Sequence, residues 1–138
     1  MSPTCDVAIV GAGFAGLAAA NVLARKGLDI RVFDDNPHMG GQLLRRPGGT
    51  SLDPGAFEFD GIKRSGLRLI AQLARCGVKV SSGTQVLGLF PGNTLLVEGG
   101  DGKVSEVSAR CVLCAAGARE TYLPFKGWTL PGVISTGS

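Results

Sequence analysis

The sequence has one histidine, one tryptophan and one tyrosine. A single histidine, His38, leaves no partner for a histidine-based triad or metal cluster, so no metal site is expected. As a general base it has little support, and a loop position near a cofactor suits it better. No apolar run reaches the roughly 18 residues of a membrane span, and no charged-apolar-small leader stands before the first predicted strand. Charge of one sign is scarce too: 14 Lys and Arg against 11 Asp and Glu leave a formal charge of +3. The clusters Arg25-Lys26, Arg45-Arg46 and Lys63-Arg64 with Arg68 are too thin for a nucleic-acid footprint. There is no internal repeat and no low-complexity tract.

What is present fits one domain of 138 residues, 44% hydrophobic and rich in turns, with 22 glycines. That length supports a hydrophobic core without staples. The four cysteines (5, 76, 111 and 114) lie in or beside apolar runs, which favours reduced thiols in a cytoplasmic protein over a disulfide framework.

The apolar run 6–10 is expected to be a strand buried on both faces of a parallel sheet. Good helix formers follow over 14–26 and stop at Gly27. "DIRVFD" (29–34) is the second strand, completing a βαβ unit. A Gly- and Pro-rich excursion covers 36–61, long enough to be a functional or disordered loop. A helix is expected over 62–77, with Leu67, Ile70, Ala71 and Ala74 on its apolar face, then a strand over 78–82. Three short alternating runs, 84–90, 94–99 and 103–108, read as an antiparallel meander. "RCVLCAAG" (110–117) returns to a continuous apolar strand, and 118–138 is an aperiodic tail. The expected fold class is α/β: a Rossmann-like parallel sheet with helices and an inserted three-stranded meander.

Gly11-Ala12-Gly13-Phe14-Ala15-Gly16 is G-x-G-x-x-G, placed directly after a strand and opening a helix. The first glycine permits the tight turn, the second lets a pyrophosphate approach the backbone, and the third lets helix and strand pack closely. Phosphates then sit on N–H groups at the positive end of the helix. Asp34 stands 18 residues after Gly16, at the end of the second strand, with Asp35 beside it. A carboxylate there accepts the hydrogen bonds of a ribose diol and repels a 2′-phosphate, selecting FAD or NAD over NADP. The competing structural reading is a tight turn with an unrelated exposed acid pair.

With Gly40-Gly41-Gln42 after the second strand and a meander in place of a crossover helix, the sequence resembles the two-dinucleotide-binding-domain flavoproteins of glutathione-reductase-like fold. In them the glycine fingerprint, the acid and the glycine doublet form an FAD site. The resemblance implies that Val86, opening the meander, meets the adenine through its backbone. It also implies that Ala115-Ala116-Gly117 stands where an Ala-Thr-Gly-like motif closes a later strand, here with Ala for Thr. His38 occupies a position where Arg is common. Arg45 and Arg46 are candidates to reach the flavin or pyrophosphate, Arg46 being the one assigned to the site, with plain solvation of the loop as the alternative.

"GGQLLRRP" and "GARETYLPFKGWTLPGV" look, more narrowly, like the FAD-containing α subunits of opine oxidases, hydrogen cyanide synthase and related amino-acid dehydrogenases. This implies oxidation of a C–N bond to an imine, with electrons leaving through flavin to partner subunits of a hetero-oligomer. Thioredoxin reductases share "GGQL" and are the enzymatic rival; a non-catalytic nucleotide-binding subunit completed by a partner chain is the non-enzyme reading. The glutathione-reductase cysteine pair is excluded, because residues 42–75 contain no cysteine. Cys111-x-x-Cys114 has redox spacing, but positions three apart in a strand face opposite ways, so both are expected to be buried core thiols.

Two regions are expected: an FAD-binding domain over 1–117, and a tail over 118–138 leading towards a second nucleotide domain. The resemblance implies that the family completes its flavin site with a C-terminal strand and an acidic motif, neither of which fits in these 138 residues. The catalytic residues are therefore unknown, and the chain alone is not expected to be competent. Without that strand, "CVLCA" becomes an apolar edge and the tail residues Leu123, Phe125, Trp128 and Leu130 lack a surface. Self-association through one of them is expected, with Trp128 anchoring the tail against a neighbouring domain. The expected compartment is cytoplasmic, with attachment to the inner membrane face through partners as its variant.

Overall fold

A computed structural model describes residues 4–44, 61–118 and 123–134. The elements run β1 (Cys5–Val10), α1 (Phe14–Ala24), β2 (Ile30–Asp34), a 3-10 turn (Gly41–Leu44), α2 (Gly61–Cys76), β3 (Lys79–Ser82), β4 (Gln85–Phe90), β5 (Thr94–Glu98) and β6 (Val104–Cys114). Six strands form one sheet in the order β3-β2-β1-β6-β5-β4. β1 runs parallel to β2 (Val7↔Ile30) and to β6 (Val7↔Cys111), and β2 runs parallel to β3. The last three strands are antiparallel, with Leu95 opposite Val107 and Val97 opposite Val86.

Each face of the sheet carries its own apolar cluster. On one, Val7, Ile9, Ile30 and Val32 pack with Leu17 and Ala20 of α1 and Leu73 of α2. On the other, Ala8 and Phe33 join Leu95, Val97, Val107 and Ala109. Burial on both sides explains why β1 and β2 read as continuous apolar runs.

Three expectations are corrected here. The third run of the meander and the apolar strand that follows are not two strands but one, β6. Residues 104–114 hold no glycine or proline to break them. The first half pairs with β5 and the second half with β1.

The apolar face of α2 is also different. Gly66 and Leu73 are buried and Leu69 and Ile70 pack on the core, whereas Ala71 and Ala74 are exposed. The face is set by contact with α1, where the Asn21 side-chain amide donates to the Leu69 carbonyl.

Lastly, Cys111 and Cys114 are exposed rather than buried; only Cys5 is buried, and all four thiols are free. The half of β6 that carries Cys111 and Cys114 has β1 on one flank, and no described strand lies on the other. The Cys111 thiol lies against the Val112 carbonyl oxygen.

In the tail, Leu123, Phe125, Trp128 and Leu130 are all exposed. Trp128 is 44% exposed and bonds only locally among the described contacts, its backbone N–H donating to the Phe125 carbonyl. Among the described residues no helix is long and apolar enough to cross a membrane. No group of three or more His, Cys, Asp or Glu there could hold a metal.

Candidate dinucleotide site

β1 has β2 on one side and β6 on the other, so the chain reverses its direction of travel across the sheet at β1. In open α/β sheets, ligands bind outside the carboxyl ends of the strands at such a switch point. A cleft of about 630 Å³ opens there, within the range of small-molecule and cofactor sites. Its walls include the fingerprint loop, the end of β2, the glycine doublet, the start of β4 and the segment 115–118.

The three fingerprint glycines differ in what a side chain would meet. At Gly11, where φ is +101°, a Cβ would fall on the Ala115 carbonyl oxygen, so end of β6 and loop touch backbone to backbone. At Gly16 it would fall on the Gly11 carbonyl oxygen, with Ile9 Cγ2 at 3.4 Å, so α1 sits directly on the turn. At Gly13 nothing lies within 4 Å; the space beside it is open to the cleft.

Gly13 is also the N-cap of α1, extended and with no side-chain cap bond, and no acidic residue stands in the first turn. Natural N-termini usually carry a capping side chain, because the first N–H groups have no partner within the helix. This one faces a cleft without a cap, which suits an anion held by Gly13, Phe14 and Ala15. Ala12 differs from them. It is fully buried, lies outside the cleft lining, and its N–H donates to Asp34 Oδ2.

Asp34 closes β2 and lines the cleft, although the residue is only 7% exposed. Besides Ala12 N–H, it accepts from the backbone and side-chain N–H groups of Asn36, each at 2.9 Å. Asp35 is exposed, lines the same cleft, and accepts from the Asn36 amide at 2.7 Å. Two further backbone bonds bring the meander to this corner. Gly83 N–H donates to the Asn36 carbonyl and Thr84 N–H to the Asp34 carbonyl. Val86, half-buried, thereby joins the cleft wall beside the acid pair.

The glycine doublet is tied to the fingerprint from the other side. Gly40 N–H donates to the Ala12 carbonyl at 2.8 Å. Gly41, with φ +60°, lies so close that a Cβ there would stand 3.0 Å from Gly13 Cα. Gln42, His38, Ala115, Ala116 and Gly117 also line the cleft. Arg45 and Arg46 lie outside the described residues.

Asn36, Thr84, Phe33 and Leu44 belong to this corner and were not legible as site residues. The turn signal Asn36-Pro37 is the one local feature from which the first of them could have been found. Phe33 directly precedes Asp34 in β2, and Thr84 and Leu44 enter through contacts between distant segments.

The family profile described as pyridine nucleotide-disulphide oxidoreductase matches residues 5–137. An opine oxidase subunit of Rhizobium meliloti is 33% identical over 132 residues, covering 96% of this chain and 28% of that protein. Hydrogen cyanide synthase subunit HcnB of Pseudomonas aeruginosa is 35% identical over 131 residues, again 28% of its length. The chain thus spans little more than a quarter of these relatives. Among solved structures, L-proline dehydrogenase from P. horikoshii superposes with a TM-score of 0.64 at 27% identity, covering 86% of this chain and 24% of that one. With the fingerprint, the switch-point cleft and a profile match over nearly the whole length, the chain belongs to the pyridine nucleotide-disulphide oxidoreductase family and has its Rossmann-type FAD-binding fold.

Proposed function

We propose that the chain holds the adenosine and pyrophosphate half of FAD in an enzyme that oxidises a C–N bond of an amino acid or opine-like substrate. The open, uncapped N-terminus of α1 at Gly13 carries the cofactor part of this reading. The pyrophosphate lies against Gly13, Phe14 and Ala15, with Gly41 and Gln42 on its other side. Both acids border the cleft; Asp35 is the main acceptor for the ribose diol, because three of the acceptor positions of Asp34 are taken by Ala12 and Asn36. Val86 meets the adenine through its backbone, and Ala115-Ala116-Gly117 forms the wall towards the flavin. Bound there, FAD supplies a two-electron acceptor for the oxidation.

The substrate class rests on relatives named for opines over nearly the whole of this chain, and on the structural neighbour named for L-proline. Both sequence relatives are named as subunits, which supports transfer of electrons to partner chains in a hetero-oligomer. Residues 1–117 form the FAD-binding unit and 118–138 lead away from it. The family description also names disulphide chemistry, which favours a thioredoxin-reductase-like alternative.

Calorimetry tests the cofactor half. FAD and ADP are expected to bind with similar affinity and NADP more weakly; preferential NADP binding overturns the ribose assignment. For the substrate class, the native flavin-loaded enzyme is expected to lose its yellow colour anaerobically with an opine or a cyclic amino acid. Bleaching by NADPH, with reoxidation by a protein disulfide, selects the alternative.

A further inference from the structure

Gly66 sits inside α2, a position that glycine serves poorly for helix stability and that therefore calls for a packing reason. It does not line the cleft. A Cβ there would lie 2.9 Å from Leu44 Cδ1 and 2.9 Å from Phe14 Cε2, with Leu44 Cδ2 at 3.3 Å. Leu44 is 4% exposed although it ends the 3-10 turn that follows the glycine doublet. Its other side is covered by Gly40, where φ is +115° and a Cβ would stand 2.5 Å from Leu44 Cβ. The Leu44 side chain is thus enclosed between Gly40 and α2, and the space it fills exists because residue 66 has no side chain.

From this arrangement we infer that Gly66 is a positioning residue for the pyrophosphate site. The notch at Gly66 seats Leu44; Leu44 fixes the doublet; the doublet holds Gly41 against Gly13, where the anion is to lie. Phe14, whose backbone opens α1 at the same place, rests its ring on the same notch. One absent side chain therefore sets both walls of the anion cradle. The adenosine corner, built from Asp34, Asp35, Asn36 and Val86, is anchored elsewhere, through β2 and the Gly83 and Thr84 N–H bonds. The inference rests on the nucleotide reading above for its ligand, and predicts which part of the ligand is affected.

The test compares wild type with Gly66→Ala, Leu44→Ala and the double variant, using ADP and adenosine as probes and amide hydrogen exchange as a ligand-free readout. Gly66→Ala is expected to weaken ADP binding by about tenfold through lost preorganisation while changing adenosine binding less than about twofold. Exchange should quicken at residues 40–44 and stay unchanged in β1 and β2. Since alanine favours a helix over glycine, a poorer helix is not the cause of such a loss. Leu44→Ala should reproduce both effects, and the double variant should bind ADP no worse than Leu44→Ala alone, because the two substitutions remove one contact. Equal losses for ADP and adenosine, additive losses in the double variant, or unchanged exchange at 40–44 in Gly66→Ala each overturn the proposal. If the wild type binds neither probe, the nucleotide reading fails and the positioning role with it, while the exchange result still shows whether Gly66 seats the turn.

Discussion

The Ala12 N–H donates to the Asp34 carboxylate across 22 positions of sequence. This bond braces the fingerprint turn from within and takes up one acceptor position of a carboxylate that also borders the cleft. On the proposed reading the acid at the end of β2 and its neighbour divide the work: Asp34 holds the loop, and Asp35, the more exposed of the two in the cleft wall, takes the ribose.

Substituting the two acids separates these tasks. Asp34→Asn leaves a buried backbone N–H poorly matched, at a stability cost of about 1–3 kcal/mol, and lowers the affinity for every nucleotide alike. Asp35→Asn keeps the melting temperature, and narrows the preference for ADP over its 2′-phosphate analogue. Thermal melts paired with calorimetry on both ligands check this. Equal effects of the two variants on stability would show that the acids share one role.

Gly13→Val keeps the fold, since the space beside Gly13 is open, but places two methyl groups where the pyrophosphate is to lie. ADP and FAD affinity should fall by about a hundredfold or more, a loss of at least about 2.7 kcal/mol, with unchanged circular dichroism. Retained ADP binding would move the anion site elsewhere.

Alkylation should sort the thiols by exposure. Cys76, Cys111 and Cys114 react quickly with iodoacetamide in the native protein. Cys5 reacts slowly, because it is buried and burial raises its thiol pKa above the usual value, thinning the reactive thiolate. Mass spectrometry of partly labelled protein reads the order. A fast Cys5 would mean that β1 opens readily.

The flank of β6 that pairs with no described strand and the exposed tail side chains predict self-association. Sedimentation across a concentration series should show a species heavier than the 14.1 kDa chain. Removing 119–138 should change that state if the tail makes the contact, and leave it unchanged if the strand edge does. A monomer at every concentration counts against both.

The βαβ unit, its glycines and the cleft they border were readable from local sequence, because each glycine's role follows from a strand meeting a helix within a few residues. The site's second wall was less so. Val86 and Ala115-Ala116-Gly117 were placed through a family resemblance; periodicity alone does not bring them to the cleft. Which of Asp34 and Asp35 is buried under hydrogen bonds was not readable, because adjacent identical residues give no hint of it. Gly66 looked like an ordinary helix residue, since its reason lies in Leu44, 22 positions earlier. Cys111 and Cys114 are exposed against expectation because an apolar run reports a strand without reporting whether both flanks are paired.

β6 joins β1 by pairing residues such as Cys5 and Ala109, more than a hundred positions apart. Pairings this distant form late, because a long loop must close before they gain anything. On the ribosome, where the N-terminal part emerges first, β1, α1 and β2 can assemble while the Ala115 end of the cleft is still inside the machine. The nascent chain thus has a stage at which the glycine turn exists but its far wall does not. A nucleotide captured at that stage would lack the wall at Ala115, so a cofactor held in this cleft would be loaded in the last act of folding rather than the first.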